Sequence, residues 1–327
     1  MRRSGVLWSV LVLLAVSLPG AVAQDESAAA QDPEPPAAEQ KAEESLPAYS
    51  REGADTCLAC HDDAGMLEVF RTPHGLPGDH AGPFGNGQLQ CEACHGPGDA
   101  HAGRVRRGQE RPPIGHFVTG LEEPVEEQNG VCIDCHQAEL SFGWHDDAHS
   151  MSDVACIDCH DIHDTFDKVL QTETQPEVCA SCHLNVHNET LKAFAHPIVE
   201  GKMTCTACHS PHGETVASAL ARDTVNQTCD TCHADKRGPY LWEHAPVAED
   251  CTTCHEPHGS NQPAMLTKRA PLLCQGCHSQ AGHPSIAFDT GGLADGAPSQ
   301  YLLGESCLNC HSQVHGSNHP SGSKLMR

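Results

Sequence analysis

The chain has 327 residues, including 20 Cys and 25 His, and a formal net charge of −25 at pH 7. Only 4% of the residues are aromatic and 38% are hydrophobic, which is little side-chain volume for the core of an ordinary domain of this length. The acidity argues against nucleic acid or an anionic lipid surface as a partner, because both present phosphate to the protein, and favours a basic patch on another protein.

Residues 1–23 have the pattern of a secretory signal peptide. Arg2 and Arg3 precede an apolar run, residues 6–18, that is too short to span a bilayer, and Ala23 completes an A-x-A cleavage site. An uncleaved N-terminal anchor is the alternative. Residues 24–50, rich in Ala, Pro, Glu and Gln, predict a disordered acidic linker.

Every cysteine of the chain belongs to a C-x-x-C-H motif. The ten motifs, numbered I to X in chain order, contain the pairs Cys57 and Cys60, Cys91 and Cys94, Cys132 and Cys135, Cys156 and Cys159, Cys179 and Cys182, Cys205 and Cys208, Cys229 and Cys232, Cys251 and Cys254, Cys274 and Cys277, and Cys307 and Cys310. The histidines that complete them are His61, His95, His136, His160, His183, His209, His233, His255, His278 and His311.

C-x-x-C-H is the attachment sequence of c-type haem. The two thiols bond to the porphyrin edge, and the adjacent His binds the iron as the proximal ligand. Zinc ribbons, repeated oxidoreductase C-x-x-C motifs and a disulfide scaffold are the alternatives, but none of them requires a His after each pair. The sequence therefore predicts ten covalently bound c-type haems.

A second set of histidines follows the motifs at recurring distances. After odd-numbered motifs the spacing from the proximal His is 13, 13, 13, 11 and 5 residues, and after even-numbered motifs it is 6, 3, 3, 3 and 4. This pattern predicts five two-haem repeats, in which a His only three residues after a proximal His ligates a different haem. The predicted distal ligands are His74, His101, His149, His163, His196, His212, His244, His258, His283 and His315, which leaves His80, His116, His145, His187 and His319 spare.

The predicted fold is mostly irregular, with short α-helices wrapped around a column of ten haems in an elongated multihaem cytochrome c. Helices are expected over residues 138–149, 189–196 and 216–229, and no alternating strand pattern is evident. The cytochrome domain is expected over residues 51–320, with two pentahaem halves near 51–190 and 191–320, followed by a tail at 321–327.

Catalysis at a haem requires an open iron position. The chain has enough histidines to saturate all ten irons, so no catalytic residue is predicted and the expected role is electron transfer. The short spacing from His278 to His283 marks motif IX as the first place to look for an open position.

Three segments carry a family resemblance. Residues 90–98 around motif II, 244–260 around motif VIII and 306–317 around motif X are similar to segments of the MtrA/DmsE/PioA-type decahaem cytochromes of porin–cytochrome complexes. The resemblance covers roughly residues 51–320 and excludes the acidic linker. It implies a bis-His haem wire, exported to the periplasm and held inside an outer-membrane β-barrel porin.

In such a complex, the partners implied are a periplasmic or inner-membrane cytochrome donor and an extracellular multihaem cytochrome or other acceptor. The wire serves extracellular respiration or, in reverse, iron(II) oxidation. A soluble periplasmic shuttle without a barrel is the second hypothesis, and a multihaem terminal reductase is the third.

Overall fold

The computed structural model describes residues 47–117, 124–138, 140, 144–213, 219–278 and 307–326. The predicted signal peptide, residues 24–46 of the predicted linker, and His283 lie outside the described residues. The motif residues and the other nine predicted distal histidines are therefore available for comparison with the predictions.

Short α-helices are the main regular elements of the described residues. They are α1 (Ala54–Leu58), α2 (Ala64–Leu67), α3 (Glu92–His95), α4 (Asp99–Ala102), α5 (Val125–His136), α6 (Gln175–Ala180), α7 (Leu184–Thr190), α8 (Val225–Asp230), α9 (Ala245–Glu249) and α10 (Ala270–Gln275). Within the same residues, β-structure is limited to isolated bridges, and no helix is long and apolar enough to cross a membrane. The predicted fold class, mostly irregular with short helices, is confirmed.

Turns of 3₁₀ helix connect these elements. They cover Glu68–Arg71, Pro73–Gly75, Trp144–Asp146, Ser150–Ser152, Cys156–Asp158, Lys168–Leu170, Cys205–Ala207, Ala234–Lys236, Cys251–Thr253, Pro263–Met265, Cys307–Asn309 and Gly322–Lys324.

The motifs occupy two kinds of helical turn. The odd-numbered motifs start within α1, α5, α6, α8 and α10, whereas motifs IV, VI, VIII and X start on 3₁₀ turns. In both kinds the His amide donates to the carbonyl of the first Cys, at 3.0 Å for His61 of motif I and 2.9 Å for His160 of motif IV. Because positions i, i+3 and i+4 of a helical turn share a face, both sulfurs and the imidazole leave the backbone on one side.

The helices predicted from the sequence are misplaced. Of the described residues of the first predicted segment, only Trp144–Asp146 form a 3₁₀ turn. α7 ends at Thr190, before most of the second segment, and α8 begins at Val225, late in the third, whose residues 216–218 lie outside the described part of the chain. The reason is that an odd-numbered motif itself supplies the last turn of its helix. The segments that carry the second histidines are held instead by contacts with distant parts of the chain.

Amide side chains hold three of the two-motif repeats together. The Asn129 side chain, on α5, accepts a hydrogen bond from the Cys156 amide at 2.8 Å, and its Nδ2 donates to Val154. Asn226, on α8, makes the same 2.8 Å contact with the Cys251 amide and donates to Val247. These amide side chains join the helix of an odd-numbered motif to the turn of the next motif.

Gln175 has the corresponding place on α6, where its Oε1 accepts from the Thr206 amide at 3.2 Å. Among the described residues, buried polar side chains outnumber buried hydrophobic ones, so the interior between motifs is polar rather than aliphatic.

Neighbouring repeats are joined by short antiparallel bridges. Phe194 and Ser260 exchange backbone hydrogen bonds of 2.9 and 2.7 Å, and Trp242 and Ser317 exchange bonds of 2.8 and 2.9 Å. Gly259 precedes Ser260 with φ of +148°, and a Cβ there would collide with a backbone carbonyl of α7. A glycine is therefore required for the two segments to approach this closely.

The first described residues are tied to motif II. The Glu92 carboxylate accepts hydrogen bonds from the Ser50 amide at 2.9 Å, the Ser50 hydroxyl at 2.7 Å and the Gly98 amide at 2.6 Å. Burial opposes ionisation of this carboxyl, but these hydrogen bonds lower the pKa of Glu92 below its usual value. The end of the predicted linker thus contacts the cytochrome fold directly.

Replacing Asn226 should weaken one repeat. Asn226→Ala leaves the Cys251 amide and the Val247 carbonyl without their side-chain partner, so we expect the free energy of unfolding to fall by about 1–3 kcal/mol. The guanidinium midpoint, followed through haem absorbance, reports the change. Asn261→Ala, at an exposed asparagine, is the matched control and should leave the midpoint unchanged. Equal midpoints for the two variants would contradict the role of Asn226.

Candidate haem-binding sites

The structure places nine motif histidines opposite nine of the predicted distal histidines, some with parallel rings and others with perpendicular ones. In these pairs the ring centroids lie 5.9 to 6.4 Å apart. The pairs, with the motif histidine first, are His61–His101 (I), His95–His163 (II), His136–His74 (III), His160–His212 (IV), His183–His149 (V), His209–His258 (VI), His233–His196 (VII), His255–His315 (VIII) and His278–His244 (IX).

This separation fits a metal ion between two imidazoles. A first-row metal binds an imidazole nitrogen at about 2 Å, so two such bonds plus the half-widths of two rings give a centroid separation of about 6 Å. Rings in direct face-to-face contact would lie closer, because carbon atoms pack at about 3.5–4.0 Å. The nearly parallel pair His255–His315, at 6.2 Å and 13°, is too far apart for direct stacking. The residues present therefore fit a haem iron with two axial imidazoles.

The pairing follows a regular exchange between repeats. A His after an odd-numbered motif faces the odd-numbered motif of the next repeat, as His196 faces His233. A His after an even-numbered motif faces the even-numbered motif of the preceding repeat, as His258 faces His209. Each internal repeat thus contributes one imidazole to each of its two neighbours.

The first repeat differs from the internal repeats in its pairing. The His after motif II, His101, lies against His61 of motif I in the same repeat. His244 lies opposite His278, so the geometry does not support motif IX as an open position. His311 of motif X has its predicted counterpart, His283, outside the described residues.

The outer nitrogen of many of these rings is held by a backbone carbonyl. The Nδ1 atoms of His95, His101, His196, His244, His255 and His311 lie 2.7 to 3.0 Å from carbonyl oxygens of Gly115, Pro112, Pro257, Val314, Ala264 and Lys324. With Nδ1 as donor, the Nε2 lone pair is directed away from the backbone and toward the facing ring. The hydrogen bonds therefore fix both the tautomer and the orientation that metal ligation requires.

These carbonyls also connect neighbouring repeats. Pro257, which accepts from His196, immediately precedes His258, and Val314, which accepts from His244, immediately precedes His315. His149 makes a longer contact of 3.2 Å with Pro211, which immediately precedes His212. One short segment therefore provides the ligand of one site and positions the ligand of another.

His160 of motif IV has a different partner. Its Nδ1 lies 2.7 Å from Oδ2 of Asp167, a largely buried carboxylate. Asp167 is fixed in turn, because its other oxygen accepts from the Val169 amide at the start of a 3₁₀ turn. Motif IV thus has an anionic acceptor at hydrogen-bond distance. Two other carboxylates lie 3.4 Å from a ring Nδ1, Asp147 at His149 and Glu189 at His258.

Three of the facing histidines are held in the neutral form. Burial first, and then the facing motif histidine, lower the pKa values of His74 and His163. Burial, Lys236 and His255 lower the pKa of His315. A neutral imidazole is the form that donates a nitrogen lone pair to a metal.

The sulfur atoms connect the motifs in chain order. Within repeats, the first cysteines of paired motifs are hydrogen-bonded to each other, and burial raises the pKa of the Cys91 thiol to about 11. These pairs are Cys57–Cys91, Cys132–Cys156, Cys179–Cys205, Cys229–Cys251 and Cys274–Cys307. Between repeats, the second cysteines are electrostatically coupled, in the pairs Cys94–Cys135, Cys159–Cys182, Cys208–Cys232 and Cys254–Cys277. Each motif from I to IX therefore has a cysteine near enough to one in the next motif for the two to interact electrostatically or through a hydrogen bond.

Cys60, the second cysteine of motif I, departs from this series. It is a predicted haem-attachment residue, but it does not belong to any of the four pairs between repeats. Its side chain is exposed, as is the second cysteine of every other odd-numbered motif, whereas the first cysteines of all ten motifs are half-buried. The Cys60 amide donates to the Cys57 carbonyl at 3.1 Å, which keeps the two sulfurs on one turn. Attachment of haem at Cys60 stays a prediction from the motif, with its sulfur at the surface rather than enclosed.

A continuous cavity accompanies seven of the motifs. Its volume is about 3610 Å³, and cysteines and histidines of motifs IV to X line it. Ordinary small-molecule pockets hold about 300–1,000 Å³, so this cavity is several times larger than a site for one ligand. It provides one shared interior for large apolar groups, in place of the side-chain core that the composition lacks.

Sequence patterns did not reveal several supporting residues. Five groups contact site residues to which no repeated spacing in the sequence relates them. They are the side chains of Asp167, Asn129 and Asn226 and the carbonyls of Pro257 and Val314. The repeated Asn three positions before the first Cys of motifs III and VII was the available signal. Of the spare histidines, His319 accepts hydrogen bonds from Ser321 at its Nδ1, which is a local turn contact.

Two protein families match parts of the chain by sequence. The doubled CXXCH motif family matches residues 196–238 and 244–283, and the cytochrome c-type protein NrfB-like family matches residues 91–176. The NrfB cytochrome c-type proteins of Escherichia coli and Haemophilus influenzae are 30% and 27% identical, each over 39% of this chain and 63% of the relative.

The multiheme cytochrome MtrA of Shewanella baltica is similar over a longer stretch. It is 46% identical over 282 residues, which are 85% of this chain and 83% of the relative. Identity at this level over most of both chains extends far beyond the C-x-x-C-H motifs themselves. The chain therefore belongs to the family of MtrA-like multihaem c-type cytochromes, and it is an electron carrier that binds covalent haems at its C-x-x-C-H motifs.

Proposed function

We propose that each facing pair of histidines is the axial ligand pair of one haem. The proposal rests on the recurrent separation of 5.9 to 6.4 Å and on the exchange pattern between repeats. His283 and motif X are the predicted distal histidine and the motif left over from these nine pairs, and we assign them to each other. All ten irons then have two imidazole ligands.

We further propose that this cytochrome is a wire through an outer-membrane β-barrel porin, exchanging electrons between periplasmic donors and extracellular acceptors. The observation that carries this proposal is that cysteines of successive motifs lie near one another along the whole series from motif I to motif X. When bound, each haem supplies an iron that takes up and releases a single electron. The chain's own residues set the order of the haems, hold their ligands and exclude other iron ligands.

A polar barrel lumen suits this chain. Large outer-membrane barrels have a polar interior, and the exposed surface of this chain is rich in acidic side chains. A protein chain without a lipid-facing surface can cross a bilayer only when another protein encloses it. The relationship to MtrA over most of both chains supports the same assignment.

Exchanging His196 tests the ligand assignment. His196→Met replaces one imidazole opposite His233 with a thioether, and a Met ligand raises a haem potential. A potentiometric titration should show one haem shifted to a more positive potential and nine unchanged. His187→Ala is the control, because His187 is spare in the repeat pattern. A spectral change with His187→Ala, or none with His196→Met, would show that the pairing is wrong.

Exchanging Asp167 tests the tuning of motif IV. An anionic acceptor makes the His160 ring a stronger electron donor, which favours the oxidised iron, so Asp167→Asn should move one haem to a more positive potential. Low-spin character should persist, since both imidazoles remain. Asp223→Asn, at an exposed aspartate, removes the same charge elsewhere and should leave all potentials in place. Appearance of high-spin iron would instead assign Asp167 a purely structural role.

Reconstitution tests the wire. Liposomes that contain the cognate barrel and enclose an oxidised dye should reduce the dye from external dithionite only when the cytochrome is also present. The variant Cys205→Ala/Cys208→Ala, which lacks the haem of motif VI, should lower dye reduction to the rate without cytochrome. Its haem content and its retention by the barrel are measured in parallel. Transfer without the barrel, or no stable complex with it, would favour the soluble periplasmic shuttle.

A further inference from the structure

A short basic segment stands out in this acidic chain. Residues 104–111 contain Arg104, Arg106, Arg107 and Arg111 with a single acidic residue, Glu110, whereas the whole chain has 19 Lys and Arg against 44 Asp and Glu. All four arginines are exposed. The local charge is therefore opposite to the net charge of the molecule.

This segment is attached to the histidines of the first two motifs. Arg111 Nη1 donates to the backbone carbonyls of His101 at 2.6 Å and Gly103 at 3.0 Å. The carbonyl of Pro112 accepts from His101 Nδ1 at 2.9 Å, and that of Gly115 accepts from His95 Nδ1 at 2.8 Å. The basic segment is thus continuous with the backbone that orients the imidazoles of motifs I and II.

The ring of His101 connects the segment to motif I. It lies 6.4 Å from the ring of His61, which is itself exposed. A protein bound to the arginines would therefore stand beside the site of motif I. That position suits entry or exit of an electron, provided that the chain conducts as proposed above.

We infer that Arg104, Arg106 and Arg107 form a docking surface for an acidic electron-transfer protein that exchanges electrons with the haem of motif I. The inference rests on the proposed wire function and adds a partner class at one of its ends. Guanidinium groups pair with carboxylates in two-pronged hydrogen bonds, and complementary charge increases the rate of encounter.

The net negative charge of the chain restricts where an acidic partner binds. At physiological ionic strength charges act over about 8 Å, so a partner with a compact acidic patch is attracted at the basic segment and repelled elsewhere. A planar anionic bilayer presents its charge to a whole face of a chain with net charge −25, and nucleic acid likewise extends past a segment of eight residues. The observations therefore favour a protein with a local acidic patch.

Stopped-flow reduction of the full-length holoprotein by reduced flavodoxin, a small acidic flavoprotein, tests the docking surface. The variant R104Q/R106Q/R107Q removes three charges and retains Arg111, which holds the segment to His101. The control K202Q/R222Q/K268Q removes three charges from exposed positions beside motifs VI to VIII. At about 0.01 M ionic strength, we expect the second-order rate constant of the arginine variant to fall about tenfold or more and that of the control to stay near the parent.

At about 1 M ionic strength the rate constants of all three proteins should converge, because salt screens the steering. Equal rate constants for the arginine variant and the parent at low salt would overturn the inference, and so would an equal loss in the control. If the variant instead loses binding to phosphatidylserine vesicles while flavodoxin reduces it at the parent rate, the segment is a lipid site and the inference fails.

A small reductant separates this inference from the wire proposal. Reduced methyl viologen does not need a protein docking surface, so it should reduce parent and variant to the same extent. Transfer from dithionite into barrel-containing liposomes tests conduction alone. Loss of that transfer in the parent would refute the wire, whereas a flavodoxin rate that is insensitive to the arginines would refute only the docking surface.

Discussion

Facing imidazole rings about 6 Å apart are the constraint on which the rest of this structure depends. In nine places the chain must bring two histidines to a separation of 5.9 to 6.4 Å, and the two come from different repeats in most of them. Each such pair is a long-range cross-connection between segments with little regular structure. The repeats are therefore joined through their ligands, and one repeat cannot be displaced without disturbing the sites of its neighbours.

This arrangement explains why the scaffold is so polar. Large cofactors fill the interior, so side chains need only join neighbouring turns, and hydrogen bonds from Asn129, Gln175 and Asn226 do so with precise geometry. A buried amide is stable only when its donors and acceptors are paired, which makes each of these residues specific for one turn. The low content of aromatic residues, 4%, has the same cause, since cofactors rather than side chains fill the interior.

Individual charged groups act on their immediate surroundings, both at the sites and on the surface. Most of the motif imidazoles with a described acceptor are held by neutral carbonyls, and the carboxylate of Asp167 takes that place at motif IV. On the surface, the arginines of residues 104–111 are a basic island next to motif I in a chain of net charge −25. Because screening limits each charge to its surroundings, such islands act locally even when the net charge has the opposite sign.

The sequence by itself determined the chemistry of this protein, because attachment of c-type haem requires residues that are adjacent in the chain, and the spacing of the second histidines marked the two-haem repeat. The mostly irregular fold was also predictable from composition. The helix positions over 189–196 and 216–229 were not, since the motif itself ends each helix. Only the tertiary structure decided which histidine faces which motif, as with His258 and His209, and which carboxylate faces His160, because these contacts join residues that no local pattern relates.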